Sequence, residues 1–333
     1  MKFIIKIMGL LLSGLFFCNS VIGQTLYTNP VMGSAPDPTV LHYGERFYLY
    51  PTCNQTKMPV YESLDLVNWK RKGYIFDNTP PKLLPSGGSL WAPDVIVYKG
   101  TILMAYSVSK MGEVIDNGIG IAIADNPLGP FTDSGMLFTS KEIGVRNSID
   151  PSFYIKGKTL YLLWGSFYGI YITQLNTKDL DHISVKSPVK KTQLAGNIFE
   201  GTHIYKRGKY YYLFASIGTC CAGLRSTYQV VVGRSKNLLG PYVNKNGEYM
   251  LDNAYTPLIK GTDCFIGPGH GSSILLDNEG KTWYIYHSYV KDDMAKGRQV
   301  MLQEIKWDKE GWPYVESGIP VISATVPQFN KMK

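Results

Sequence analysis

Apolar and polar residues alternate at every second position through much of this chain, in short runs that come in pairs and are bounded by turn residues. That period is the mark of half-buried β-strands, and no stretch sustains the 3.6-residue period of a long helix. Five segments share one design: a polar, usually acidic residue beside Pro or Gly, an apolar strand, a turn at Gly or Lys-Gly, and a second, aromatic-rich strand. They open at Asp37 in APDPTVLHYGERFYLYPT, Asp94 in APDVIVYKGTILMAYS, Asp150 in IDPSFYIKGKTLYLLWG, Glu200 in EGTHIYKRGKYYYLFAS and His270 in GHGSSILLDNEGKTWYIYHSY.

Between these openings lie second half-repeats, at 60–76, 119–138, 169–187 and 228–247, with 297–315 in the corresponding final position. Each is an alternating strand, a polar turn, often Leu-Gly-Pro-aromatic, and an outer strand. Two strands plus two strands make a four-stranded blade, and a period of roughly fifty to seventy residues built this way predicts an all-β, five-bladed β-propeller. Residues 24–333 are expected to form this one domain. A sandwich or β-helix does not account for so long a period with paired halves. The stretch from Thr25 to Val31 either completes the last blade or lies across the rim, and the Pro80–Gly88 stretch reads as a rim loop.

Composition changes the picture in three places. Lys2 and Lys6 precede an apolar run from Ile7 to Phe17, which predicts a secretory signal peptide over residues 1–23 and an exported, periplasmic or secreted product. Cys18 offers a lipoprotein anchor as the secondary alternative, although bulky Phe17 occupies a position that usually holds a small side chain. Export permits disulfides among Cys53, Cys220, Cys221 and Cys264, whose spacing matches no zinc site. Adjacent Cys220 and Cys221 could bond to each other, but loop thiols or a bond to Cys53 or Cys264 is the expectation. The net charge of +8 carries no nucleic-acid motif with it and reads as a solvated surface or as attraction to an anionic polysaccharide.

In a propeller the first strand of every blade lines the central channel, so Asp37, Asp94, Asp150, Glu200 and His270 are expected to converge on one ring at one mouth. Taken singly, an Asp before Pro is an ordinary turn-former and a histidine an ordinary core residue. Four carboxylates brought together are costly unless they share protons, bind a cation or do acid–base work. Trp91, Trp164 and Phe167 near such a mouth are candidate platforms for sugar rings.

At these residues the chain resembles glycoside hydrolase family 43. APDP, SIDPSF and Glu200-Gly201-Thr202-His203 carry the likeness, and WAPD, WGSFYG, CCAGLRSTYQVVVGRS, GPGHGSS and YHSY resemble the endo-arabinanases of that family. The resemblance implies inverting hydrolysis, with Asp37 as general base, Glu200 as general acid and Asp150 as the neighbour that orients the acid and raises its pKa. Inversion needs carboxyls about 6.5–9.5 Å apart so that a water fits beside the sugar. It also implies His270 as ligand to a channel ion, calcium, and Asp94 as a substrate contact or a tie at a strand end.

The expected function is therefore hydrolysis of internal α-1,5-L-arabinofuranosidic bonds of arabinan, a pectin side chain, with no nucleic-acid or protein partner. An exo-acting α-L-arabinofuranosidase or β-xylosidase is the alternative, and the Pro80–Gly88 and Asp252–Asp263 loops are the segments that could close one end of a groove. A glycan-binding propeller without turnover is the third reading.

Overall fold

The computed structural model describes residues 25–53, 57–76 and 88–329. The leader expected over residues 1–23, Cys18 and most of the Pro80–Gly88 stretch lie outside the described residues.

Each predicted unit is an antiparallel sheet, and five sheets surround one axis as blades. The first runs Thr39–Tyr43, Arg46–Tyr50, Pro59–Ser63, Lys70–Tyr74, and the second Ser89–Tyr98, Thr101–Ser109, Gly118–Ala124, Thr132–Thr139. The third runs Ser152–Lys156, Thr159–Trp164, Ile170–Asn176, with Ser184–Val185 and Lys191–Ala195 both on its outer edge. In the fourth, Phe199–Arg207, Tyr210–Ile217 and Gln229–Ser235 are followed by Thr256–Ile259. The sequence placed that outer strand before residue 247, but Val243 only bridges to Arg234 and Tyr249. The Asp252–Asp263 segment is accordingly not a free rim loop, because its middle is paired with Val230–Val232.

The fifth blade uses Phe265–Gly269, Thr282–Val290 and Arg298–Trp307, and its outer strand comes from the other end of the chain, Met32–Ser34. Closure is doubled, since Leu26–Thr28 pairs with Ser323–Thr325. Buried Asn29 fastens it by exchanging hydrogen bonds with the Leu302 backbone at 2.8 and 2.9 Å.

Strand alternation explains the packing. In Thr101–Ser109, Ile102, Met104 and Tyr106 face Leu41, Tyr48 and Tyr50 of the first blade, whereas Leu103 and Ala105 face Phe153, Leu160 and Leu162 of the third. A blade buried on both faces has no polar side to spare, so its inner strands read as nearly continuous apolar runs. Cores of this kind fill every junction, including the one between Phe47 and Leu49 of the first blade and Trp283 and Ile285 of the fifth.

Candidate active site

All five inner strands enter the channel through a residue with positive φ: Asp37 at 51°, Ala92 at 40°, Asp150 at 58°, Gly201 at 56° and His270 at 44°. Only Gly adopts this region without cost, and Asp tolerates it better than most. The sharp turn points the side chain of the entering residue across the channel mouth. It also corrects the expected ring. Glu200 precedes its blade's turn by one residue, at a register shift in the strand. Asp94 follows its own by two and therefore belongs to a deeper layer with Thr39, Ser152, His203 and Ser272.

In that layer Asp94 is a strand tie rather than a group facing substrate. Its Oδ1 accepts from Thr39 Oγ1 at 2.9 Å and its Oδ2 from the Phe153 amide at 2.7 Å, joining three blades. Burial raises its pKa, and those hydrogen bonds oppose the rise.

At the mouth, Asp37 is the most heavily supported carboxylate. Arg298 Nη1 lies 2.7 Å from Oδ1, and Thr52 Oγ1 donates to Oδ2 at 2.6 Å. The Asp37 amide donates to His287 Nδ1 at 3.0 Å, which fixes that ring as the tautomer with its proton on Nε2. Burial alone would raise the Asp37 pKa, but Arg298, His270, His287 and Thr52 outweigh it and hold the carboxyl well below the usual range. Burial also keeps His287 far below its ordinary pKa and lowers that of His270, so near neutral pH Arg298 is the formal positive charge in this group.

Glu200 and Asp150 are in the opposite situation. Burial, with Asp37 adding to it, raises Glu200 to about 7, against hydrogen bonding that includes a 2.7 Å donation from Ser166 Oγ to Oε2. The Tyr228 hydroxyl lies near the same carboxyl, short of full hydrogen-bond geometry, and finds no other partner. Asp150 is raised by burial and then by the charges of Glu200 and Asp37, with the Gly201 amide donating to Oδ2 at 3.3 Å. A buried pair of this kind retains a proton near neutrality. His270 sits across it, with Nδ1 3.4 Å from Asp37 Oδ1 and 3.9 Å from Asp150 Oδ2. One carboxylate is thus kept ionised while another, on a different blade, is kept protonated, which is the division of labour acid–base catalysis requires.

The supporting residues escaped the sequence reading, although their signal was present. In each unit the second strand ends on a hydroxyl or imidazole: Thr52 and His287 serve Asp37, Ser107 Oγ accepts from the Asp150 amide at 2.9 Å, Ser166 serves Glu200, and Ser216 Oγ accepts from the His270 amide at 2.8 Å. Arg298 carried no such repeat signal, because it reaches Asp37 only through closure of the ring between the fifth and first blades.

The aromatic candidates divide. Phe167 is 36% exposed beside Ser166, and Trp91 is half-buried next to Ala92, whose amide donates to Thr52 Oγ1 at 2.8 Å. Trp164, expected as a platform, has no exposed surface; it packs on Phe138 and Tyr171 and donates to Ser148 Oγ at 3.1 Å. Strand alternation turns it into the junction between blades. Cys220 and Cys221 form a vicinal disulfide in place of the expected loop thiols or longer bridge. The loop holding it returns at Tyr228, where a depression of about 390 Å³ opens between the fourth and fifth blades, bordered by Gln229, Lys260 and Gly267.

Below the mouth lies a cavity of about 20 Å³, room for a single water or small ion, lined by His270 among others. Ser152 Oγ, Thr202 Oγ1 and both His203 nitrogens beside it find no protein partner. Among the described residues no cluster of three His, Cys, Asp or Glu side chains is arranged to hold a metal. With Asp37, Asp94 and Asp150 also in the lining and His270 beside them, the cavity suits a hard cation held chiefly through water.

The sequence model of "Glycosyl hydrolases family 43" matches residues 27–313. The chain is 33% identical over 303 residues to the extracellular exo-α-(1→5)-L-arabinofuranosidase ArbA of Cellvibrio japonicus, covering 84% of this chain and 86% of that protein. It is 31% identical over 314 residues to the extracellular endo-α-(1→5)-L-arabinanase 1 of Bacillus subtilis, covering 91% and 94%. A Cellvibrio cellulosa α-L-arabinanase complexed with arabinohexaose superposes with a TM-score of 0.77 at 30% identity, over 86% of this chain and 96% of that one.

Proposed function

The chain belongs to glycosyl hydrolases family 43, and from this premise we propose that it is an exported arabinanase cleaving internal α-1,5-L-arabinofuranosidic bonds with inversion. The observation that carries the chemistry is the contrast between two buried carboxyls at one mouth, Asp37 paired with Arg298 at 2.7 Å and Glu200 without a cationic partner and raised by burial to about 7.

In this mechanism Asp37 takes a proton from water as the water attacks the anomeric carbon. Thr52 and Arg298 occupy its two oxygens and stabilise the carboxylate before the proton arrives. Ser166 engages Glu200 Oε2, leaving Oε1 to carry the proton that passes to the departing sugar oxygen. Asp150 shares the buried pair with Glu200, whose charge raises its pKa, and its hold on the Gly201 amide fixes the turn beside the acid. Phe167 and Trp91 offer stacking surface to the sugars on either side. A calcium ion on His270 is part of the proposal; when bound, it supplies fixed positive charge below the mouth.

Internal cleavage is supported by the likeness to the endo-arabinanase of Bacillus subtilis. The name of the Cellvibrio japonicus relative favours the exo alternative. A time course of products from linear α-1,5-arabinan, with xylan and Glu200→Gln as controls, decides between them. Mixed oligosaccharides at the earliest times, absent in the variant, support the proposal. Arabinose alone makes the enzyme exo-acting, and release from xylan only overturns the substrate.

A further inference from the structure

The end of the propeller away from the mouth carries a charge pattern that hydrolysis leaves unused. In each blade the first strand runs from the mouth to a tight turn, as when Glu200 pairs with Ser216 at the mouth and Arg207 pairs with Tyr210 at the turn. The turns of the second, third and fourth blades, which pair Tyr98 with Thr101, Lys156 with Thr159 and Arg207 with Tyr210, therefore share the distal face. Their exposed charged residues are Lys99, Lys156, Lys158, Lys206, Arg207 and Lys209.

Contacts between blades make these one surface. Tyr98 Oη donates to Lys158 O at 2.7 Å, joining the second blade to the third. Lys156 and Lys206, from the third and fourth, both lie over the Tyr211 ring, at 5.9 and 4.7 Å. Arg207 covers Trp307 of the fifth blade at 4.7 Å, and Lys209 covers Tyr210 at 5.4 Å. The charged heads rest on these rings, which holds the cations in place across the face.

Anionic neutralisation is sparse on this side. Among the described residues none of the six forms a salt bridge; those on or reaching the neighbouring first and fifth blades include Arg46–Glu62, Lys245–Asp308 and Lys306–Glu316. Of the nearby acids, Asp179 is engaged by His182, Glu279 by Lys281, and Asp308 and Glu310 by Lys245, while Glu45 and Asp181 lie on the flanking first-blade turn and the 177–182 segment. Six clustered like charges repel one another, and a chain of opposite charge lying across them relieves that repulsion.

We propose that this distal face binds a linear polyuronate, a polysaccharide carrying one carboxylate per sugar. The choice of polymer rests on the arabinan reading, because arabinan is a side chain of pectin, whose backbone is such a polyuronate. Held there, the enzyme would present its mouth away from the backbone, towards the neutral side chains. The surface suits this occupant better than nucleic acid or lipid: the rings are roofed by cations rather than open for base stacking, and Ile155 is the large apolar side chain the turns expose.

The test is native electrophoresis of the full chain through gels containing polygalacturonate, with neutral debranched arabinan, DNA and phosphatidylserine vesicles as comparison ligands. Wild type should be retarded by polygalacturonate at low salt and released as added salt brings the Debye length towards about 3 Å. Replacing Lys156, Lys206, Arg207 and Lys209 together by Ser should weaken retention roughly tenfold or more, with hydrolysis of short arabino-oligosaccharides unchanged. Lys209→Glu, a single exposed change, provides the same comparison should the fourfold variant fold poorly. Absence of retardation at low salt, or equal retardation of the variants, overturns the inference. Tighter binding to DNA or vesicles than to polygalacturonate overturns the choice of ligand. Retention is scored without turnover, so a failure of the arabinan reading is visible separately, in the product time course.

Discussion

Arg298→Gln separates the electrostatic account of the base from a merely structural one. The guanidinium lies 2.7 Å from Asp37 Oδ1, and the two side chains are 15% and 11% exposed. Unit charges at about 4 Å interact by about 4 kcal/mol at an effective dielectric near 20, and one pKa unit corresponds to about 1.4 kcal/mol. That corresponds to about three units, in keeping with the roughly 1–3 units by which a neighbouring Arg ordinarily lowers an Asp. Without Arg298, burial is opposed only by Thr52 and two imidazoles that are uncharged near neutral pH. The Asp37 pKa should then rise from well below the carboxylate range to about 4 or higher.

The assay is kcat/KM on a short arabino-oligosaccharide across acid to mildly alkaline pH. The acidic limb, set by ionisation of the base, should move upward by about one to three units. The alkaline limb, set by Glu200, should rise less, because Arg298 is the least of the influences on that residue. Thermal stability gives a second readout. A depressed Asp pKa stabilises the fold above the unfolded value and loses that contribution as pH falls through the folded one. Breaking the pair should cost about 3 kcal/mol near neutrality, the low end for a buried pair given the residual exposure. The Tm gap between variant and wild type should narrow as the pH drops below about 4. An acidic limb that stays in place, with a Tm gap independent of pH, would refute Arg298 as the charge that ionises Asp37.

Asp150→Asn removes the carboxyl that shares a buried, coupled pair with Glu200, so the alkaline limb of the pH profile should move; an unchanged profile contradicts the assigned role. Trp164→Ala should lower stability by about 3–5 kcal/mol in denaturant unfolding, whereas Phe167→Ala should leave stability within about 0.5 kcal/mol and raise KM. The reverse pattern would exchange their roles. Calcium removal by chelation should lower Tm in wild type but not in His270→Ala, with bound calcium followed by elemental analysis; equal calcium content in both proteins would exclude His270 as the ligand.

The chain by itself determined the period, the pairing of half-repeats and the three carboxylates, because each depends on local order. Alternation decides strand, Gly and Pro decide turns, and Asp beside Pro or a Glu-Gly step marks where an inner strand begins. Even the hydroxyl at the end of each second strand, Thr52, Ser107, Ser166 and Ser216, recurs in the sequence and could have been read as support for those turns. What local order does not contain is depth and closure. Two residues along a strand separate a group at the mouth from one in the channel, which is why Asp94 became a tie to Thr39 and Phe153. A strand buried on both faces hides which side a large aromatic takes, which is why Trp164 joined the core while Phe167 reached the surface. Arg298 and His287 reach Asp37 across 261 and 250 residues of chain, because Met32–Ser34 completes the fifth blade. The ionisation of the base was decided there: a charge acts through distance in space, and only the closed ring brings these groups together.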